Sequence, residues 1–204
     1  MIREWFKGGR GREKELLRLE TIAASLAAGI IIDEARPYLE GKRVLTPAET
    51  FVLIHRLYGE SLDIARQLGD GAAQAEVLYN FGRLYQDPPR KSLFLMKELT
   101  AEEFLTAWDA RAGAVHHRRP EDQRQALTYY HQALRLAREA GRVIIEASCL
   151  INIAVSHRHL GEWVEHQRYL EEAGPVVDRV GDPAMTGPMR QALAEERSFR
   201  GNRV

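Results

Sequence analysis

One helical pattern occurs twice between residues 126 and 182, and the two copies stand 40 positions apart. The copies consist of Ala126, Tyr130, Ala133 and of His166, Leu170, Ala173. Small and large apolar residues in this order allow one helix to pack closely against the next. Repeats of 20–50 residues are typical of stacked helical solenoids, which usually bind other molecules rather than catalyse reactions. The sequence therefore predicts a protein-interaction module, without naming its partner.

Composition excludes several classes of partner. The 204-residue chain has 29 Lys and Arg and 29 Asp and Glu, so its formal net charge is zero. Such a chain generates no strong field toward nucleic acid or an anionic membrane, and we expect neither as a partner. The single cysteine, Cys149, lies in an apolar helical stretch and is predicted to be a buried structural thiol, which suits a reducing, cytoplasmic location. The longest apolar run, residues 22–32, is shorter than the roughly 20 residues that a membrane-spanning helix needs.

The local patterns predict an all-α fold, because no segment alternates with a period of two. Residues 1–11 are predicted to form a flexible basic arm, in which Trp5 could stack on nucleic acid but is expected to pack on protein, and residues 12–204 a single domain. Thr46 and Glu49 form a capping box, as do Thr100 and Glu103, so a helix should begin at each. The predicted helices cover 13–39, 47–68, 72–85, 92–99, 100–117, 120–140, 143–160 and 162–180, with a last one after Pro183 or Pro188.

The packing positions resemble those of a known family. Leu150, Ile153, Ala154 and His157 would lie on a first helix, Gly161 in the turn, and Leu170 and Ala173 on a second helix. This arrangement resembles a tetratricopeptide repeat, and its spacing is similar to extended repeats of bacterial regulators. A second unit would pair Ala110, Gly113, Ala114 and His117 with Ala126, Tyr130 and Ala133, and a partial third has Leu78, Phe81, Gly82 and Tyr85. Over residues 72–182, the resemblance implies a right-handed solenoid of antiparallel helix pairs, with a long N-terminal helix and a C-terminal capping helix.

In that family the first helices line a concave groove, and the resemblance implies which residues here would face it. Four arginines and two asparagines stand at such positions, a set suited to an acidic or carboxylate-ended peptide, with Tyr79 and Trp108 as apolar anchors. The alternative is that these arginines form ordinary salt bridges on solvated helix faces. The implied peptide-binding residues are Tyr79, Asn80, Arg83, Trp108, Arg111, Arg118, Asn152, Val155, Arg158 and His159.

Catalytic signatures are missing from the sequence. It contains no P-loop, no Gly-x-Ser-x-Gly elbow and no His-Glu-x-x-His motif, so we expect no enzyme activity, no cofactor and no metal. His157 and His166 are expected to pack between helices rather than to bind zinc. The favoured function is a non-enzymatic adaptor that binds a protein segment. The alternatives are a ligand- or peptide-sensing domain of a bacterial signalling or transcription system, and a self-assembling structural unit or homodimer.

Overall fold

The computed structural model describes residues 2–29, 31–39, 41, 44–89, 93–94 and 119–199. The chain divides into two compact units, where we expected one domain over 12–204. Unit 1 comprises Met1–Gly69 and Asp87–His117, and unit 2 comprises Asp70–Gln86 and Arg118–Val204. The described parts of both units are predominantly helical, so the predicted all-α class is confirmed.

Unit 1 is built on two packed helices, α1 (Ile2–Ala27) and α2 (Pro47–Leu68). A 3-10 helix (Asp33–Tyr38) lies between them in sequence, and two short strands, β1 (Val44–Leu45) and β2 (Leu93–Phe94), pair antiparallel. The core of the α1/α2 pair is aliphatic and fully buried, with members such as Ile22, Ala23, Ile54 and Leu57.

Three predictions in unit 1 differ from the structure. The first helix begins at Ile2, so the predicted loose arm is helical, and it ends at Ala27 instead of near residue 39. Gly29 has a φ of 85°, a left-handed conformation that ends the helix well before Pro37. The predicted helix over 92–99 is a strand at Leu93–Phe94, because pairing with β1 outweighs the local preference.

Helix α2 matches its predicted bounds because both of its ends are specified locally. The Glu49 amide donates to Thr46 Oγ1 at 3.2 Å, and the Thr46 amide donates to Glu49 Oε2 at 2.9 Å. At the other end Gly69 adopts a φ of 67°. These contacts satisfy backbone groups that a helix leaves unpaired at its termini.

Unit 2 consists of five described helices, each packed on the next. The bounds of the first four lie within two residues of the predicted ones, the helix Val143–Leu160 matches both of its predicted ends, and the fifth begins at Pro183. The helices are α3 (Gly71–Gln86), α4 (Pro120–Glu139), α5 (Val143–Leu160), α6 (Trp163–Asp178) and α7 (Pro183–Ser198).

Helix α4 packs on α3, and the Tyr130 ring lies against Gly82. The sequence analysis paired Tyr130 with a first helix that carries Ala110 to His117, and that helix lies outside the described residues. A Cβ atom at Gly82 would lie within 2.8 Å of three carbons of that ring, so only glycine leaves room for it. The stacked rings of Phe81 and Tyr129, with centroids 4.8 Å apart, extend the same contact.

A network of ion pairs joins α4, α5 and α6 near the α4–α5 turn. Glu146, only 8% exposed, accepts from Arg138 Nε at 3.1 Å and from Arg179 Nη2 at 2.8 Å. Arg138 also bridges to Glu172 on α6. Because a buried charge is costly to leave unpaired, loss of either guanidinium partner should destabilise this junction of three helices.

Cys149 provides a reporter of unit 2 packing. Its side chain on α5 is fully buried, and that burial raises the pKa of the thiol well above its usual range. Since the thiolate is the reactive form, we expect negligible alkylation by iodoacetamide in native buffer and rapid alkylation in urea. Mass spectrometry of timed samples measures this. Fast stoichiometric labelling of the native protein would contradict the buried position.

Candidate peptide-binding face

The predicted site residues lie on two helices, as far as the structure describes them. Helix α3 carries Tyr79, Asn80 and Arg83, and α5 carries Asn152, Val155, Arg158 and His159. The remaining three, Trp108, Arg111 and Arg118, fall outside the described residues. The α3/α5 face is defined here by Tyr79, Asn80, Arg83, Asn152 and Val155.

The two helices contact each other through Asn152. Its side-chain amide donates to the Tyr79 hydroxyl at 3.3 Å and to the Ser148 carbonyl at 2.9 Å. Because a carbonyl can only accept, the second bond fixes the orientation of the amide group. Both amide hydrogens have partners within the chain, which leaves the Asn152 Oδ1 oxygen to act as an acceptor. Burial raises the pKa of Tyr79, so its phenol stays protonated at neutral pH.

Beneath this face lies a buried polar network that the sequence analysis missed. Gln86, at the end of α3, is only 7% exposed. Its Nε2 donates to the Asn152 carbonyl at 2.8 Å and to Ser156 Oγ at 2.9 Å, while its Oε1 accepts from the Tyr130 hydroxyl at 3.0 Å. One amide thus links α3, α4 and α5, and a buried network of this kind favours one arrangement of the three helices.

Arg83 is the cation that this face presents to solvent. Its side chain is exposed, and no described carboxylate forms an ion pair with it. Its charge opposes the effect of burial on the pKa of Tyr79, so it acts on the phenol of the same face. Glu76, one turn before Asn80 on α3, lies 3.7 Å from Arg142 and is thereby balanced by a charge of its own.

Arg158 has a different role from the one predicted. Its Nε donates to Glu196 Oε2 at 2.8 Å and its Nη2 to Glu196 Oε1 at 3.2 Å. The guanidinium carbon also lies 4.3 Å from the centroid of the Phe199 ring. The side chains of Arg158 and Glu196 are only 19% and 11% exposed. This arginine therefore serves the packing of α5 on α7, and the salt-bridge alternative holds for it.

The contact of Arg158 repeats an earlier one in the stack. Gln86 on α3 reaches Ser156 on α5, and Arg158 on α5 reaches Glu196 on α7. Helix α5 begins 72 positions after α3, and α7 begins 40 positions after α5. Arg158 of α5 stands 72 positions after Gln86 of α3, and Glu196 of α7 stands 40 positions after Ser156 of α5, so both contacts join equivalent positions. Helix α7 thus takes the place, relative to α5, that α5 takes relative to α3.

The surface of α7 differs from those of α3 and α5 at the packing positions. Where α5 has Leu150 and His157, α7 has Arg190 and Arg197. Arg190 pairs with Asp178 at 2.9 Å, and Arg197 donates to the Leu170 carbonyl at 3.5 Å. Polar residues at these positions suit a capping helix, whose outer face stays in contact with water.

Two histidines of unit 2, His157 and His166, pack between helices. His157 lies 2.7 Å from Glu162 through Nδ1, and its ring is stacked on Tyr169 with centroids 5.4 Å apart. His166 is fully buried, and its Nδ1 donates to the Ala154 carbonyl at 2.9 Å. In the described part of the chain, no three His, Cys, Asp or Glu side chains are grouped to hold a metal ion.

The α3/α5 face combines an acceptor oxygen, a protonated phenol, a second amide and an exposed guanidinium.

No protein-family model matches the chain, and no curated protein is significantly similar to it. Within the described ranges, no helix is both long and apolar enough to cross a membrane. The α3/α5 face offers groups that can bond to peptide N–H groups and to carboxylates. Glu76 nearby is paired with Arg142, and Arg83 is the exposed charge of the face.

Proposed function

We propose that unit 2 is a tetratricopeptide-like helical repeat that binds a peptide segment on the α3/α5 face and acts as a non-enzymatic adaptor. The observation that carries the proposal is that α3 and α5, at equivalent positions of two helix pairs, lie side by side and present Asn80, Arg83 and Asn152. A stack of helix pairs builds an extended surface of this kind from its first helices.

The chemistry of the face narrows the class of peptide. Arg83 can take a carboxylate with two parallel hydrogen bonds, as arginine does at many recognition sites. Asn152, whose amide hydrogens are engaged with Tyr79 and Ser148, can accept from a backbone N–H but has no hydrogen left for a carboxylate. The ligand that fits is an extended segment with one acidic group near Arg83 and a peptide N–H near Asn152. Trp108, Arg111 and Arg118 stay predictions.

The proposal is tested with an array of peptides that differ in acidic content and carry either a free or an amidated C-terminus. We expect acidic or carboxylate-ended peptides to bind the wild-type protein and Arg83→Glu to weaken the best of them at least about tenfold, because like charges across an interface repel. Fluorescence polarisation with labelled peptides from the array measures the dissociation constants.

Arg124→Glu is the matched control for this experiment. Arg124 is an exposed arginine of α4, outside the α3/α5 face, so the change carries the same charge reversal to another surface. Binding of the selected peptides should be unaffected by it. If no peptide class binds selectively, or if both variants weaken binding equally, the α3/α5 face is not the binding site.

A further inference from the structure

The position of Arg83 on α3 has an equivalent on both α5 and α7. Counting 72 positions from Arg83 leads to Val155, and counting 40 more leads to Glu195. The same counts connect residues that are buried in all three helices, namely Phe81, Ile153, Leu193 and Leu84, Ser156, Glu196. The three helices therefore share one register, and Arg83, Val155 and Glu195 occupy the same position on each. We call these three residues the charge row.

The charge row changes from cationic through apolar to anionic. Arg83 and Glu195 are exposed, and Val155 is half-buried between them in the order of the helices. Glu195 Oε1 accepts from the neutral amide of Gln191 at 2.9 Å, and no cation of the described residues forms an ion pair with this carboxylate. Each end of the row therefore keeps a charge that a ligand can neutralise.

The spacing of the helices sets the length of a matching ligand. Helix α3 contacts α5, and α5 contacts α7. The axes of packed helices are roughly 8–10 Å apart, so the two charged ends of the row are separated by about 16–20 Å. An extended peptide advances roughly 3.3 Å per residue and turns every second side chain to the same side. Two of its side chains that are about six positions apart would therefore reach both ends of the row.

We propose that the charge row selects a bipolar peptide segment, with an acidic side chain at Arg83 and a basic side chain at Glu195. Apolar side chains between the two charges would lie against Val155. This inference rests on the proposed function, because it extends the α3/α5 face onto α7 and adds a second charge contact there. Complementary charges of opposite sign at the two ends discriminate against ligands that carry one sign of charge only, since like charges across an interface repel.

Three labelled heptapeptides with capped ends test the selection by fluorescence polarisation with the full chain. The bipolar peptide has aspartate first, leucine third and fifth, arginine seventh and serine elsewhere. The di-acidic peptide has aspartate in place of the arginine, and the third peptide has the bipolar composition with its two charges adjacent. We expect the wild type to bind the bipolar peptide at least about tenfold more tightly than either of the others.

Glu195→Arg should reverse this preference. The variant should bind the bipolar peptide at least about tenfold more weakly, and the di-acidic peptide at least about tenfold more tightly, than the wild type does. A gain in affinity cannot result from unfolding, and Glu195 is exposed, so circular dichroism should show an intact fold. Glu195→Gln removes the charge without reversing it and should abolish the preference. Glu121→Arg is the matched control, since Glu121 is an exposed carboxylate of α4 outside the row, and it should leave both affinities unchanged.

Equal binding of the three peptides by the wild type, or a preference that Glu195→Arg leaves in place, would overturn the charge row. The same reversal in Glu121→Arg would also overturn it, because binding would then follow the overall charge of the protein. If acidic peptides bind and only Arg83→Glu weakens them, this inference fails while the proposed function stands. If no peptide binds the wild type, both fail.

Discussion

Gly82→Ala should lower the free energy of unfolding by about 2–3 kcal/mol, the upper part of the range for forcing an extra carbon into a packed core. The added Cβ would lie within 2.8 Å of three carbons of the Tyr130 ring. That ring is fully buried, and its hydroxyl is bonded to Gln86, so it has little room to move. Urea denaturation followed by circular dichroism measures the change.

Gly59→Ala provides the control for this effect. Gly59 lies within α2, and a Cβ at this position would meet nothing within 4 Å. Alanine in a helix interior is favoured over glycine by roughly 0.5–1 kcal/mol, so this variant should be as stable as the wild type or more stable. Equal losses of stability in the two variants would show that the contact between Gly82 and Tyr130 is not tight.

A double substitution tests the equivalence of the two helix pairs. At the positions that correspond to Gly82 and Tyr130, the second pair has Ala154 and Leu170, both fully buried. Gly82→Ala combined with Tyr130→Leu should therefore be more stable than the sum of the single effects predicts, by about 1 kcal/mol or more. Simple additivity would argue against equivalent packing.

Arg158→Glu should cost about 2–4 kcal/mol of stability. The change removes one member of a largely buried ion pair and leaves Glu196 facing a like charge. The charge-swapped double variant, Arg158→Glu with Glu196→Arg, should recover part of the loss. Denaturation curves measure the stability, and limited proteolysis should show α7 cleaved faster in the single variant.

The comparison for Arg158 is an exposed ion pair that joins α6 to α7. Arg190 and Asp178 are 63% and 67% exposed, so Arg190→Glu should change the stability by less than about 1 kcal/mol. Similar costs in the two variants would contradict a structural role for Arg158. Because Arg158→Glu loosens α7, loss of peptide binding in that variant would not by itself locate a binding surface.

Local signals explain the parts of the fold that sequence analysis predicted. The ends of α2 are fixed by a capping box at Thr46 and a left-handed Gly69, both of which act over a few residues. The pairing of α4 is a non-local property. The sequence offers two helical patterns with a glycine at a packing position, Gly82 and Gly113, and periodicity alone does not show that Tyr130 covers Gly82.

The same limit applies to the candidate site. The resemblance implies that Arg83 and Arg158 both face the groove, yet one is exposed and the other is paired with Glu196. The difference depends on a partner 38 residues further along the chain, which no local pattern reveals. The two-residue pairing of Leu45 with Leu93 is likewise too short to produce a period in the sequence.

The division of the chain has a consequence for folding order. After Gln86 the polypeptide leaves unit 2, contributes Asp87–His117 to unit 1, and then returns with α4. No contiguous fragment consists of one complete unit alone. A fragment that starts at residue 118 lacks α3 and would expose the ring of Tyr130 to solvent. During synthesis, 53 further residues must follow Gln86 before the partner helix α4, which ends at Glu139, is complete. Completion of unit 2 thus depends on closing a long loop, and the two units are expected to acquire their native packing as a coupled pair.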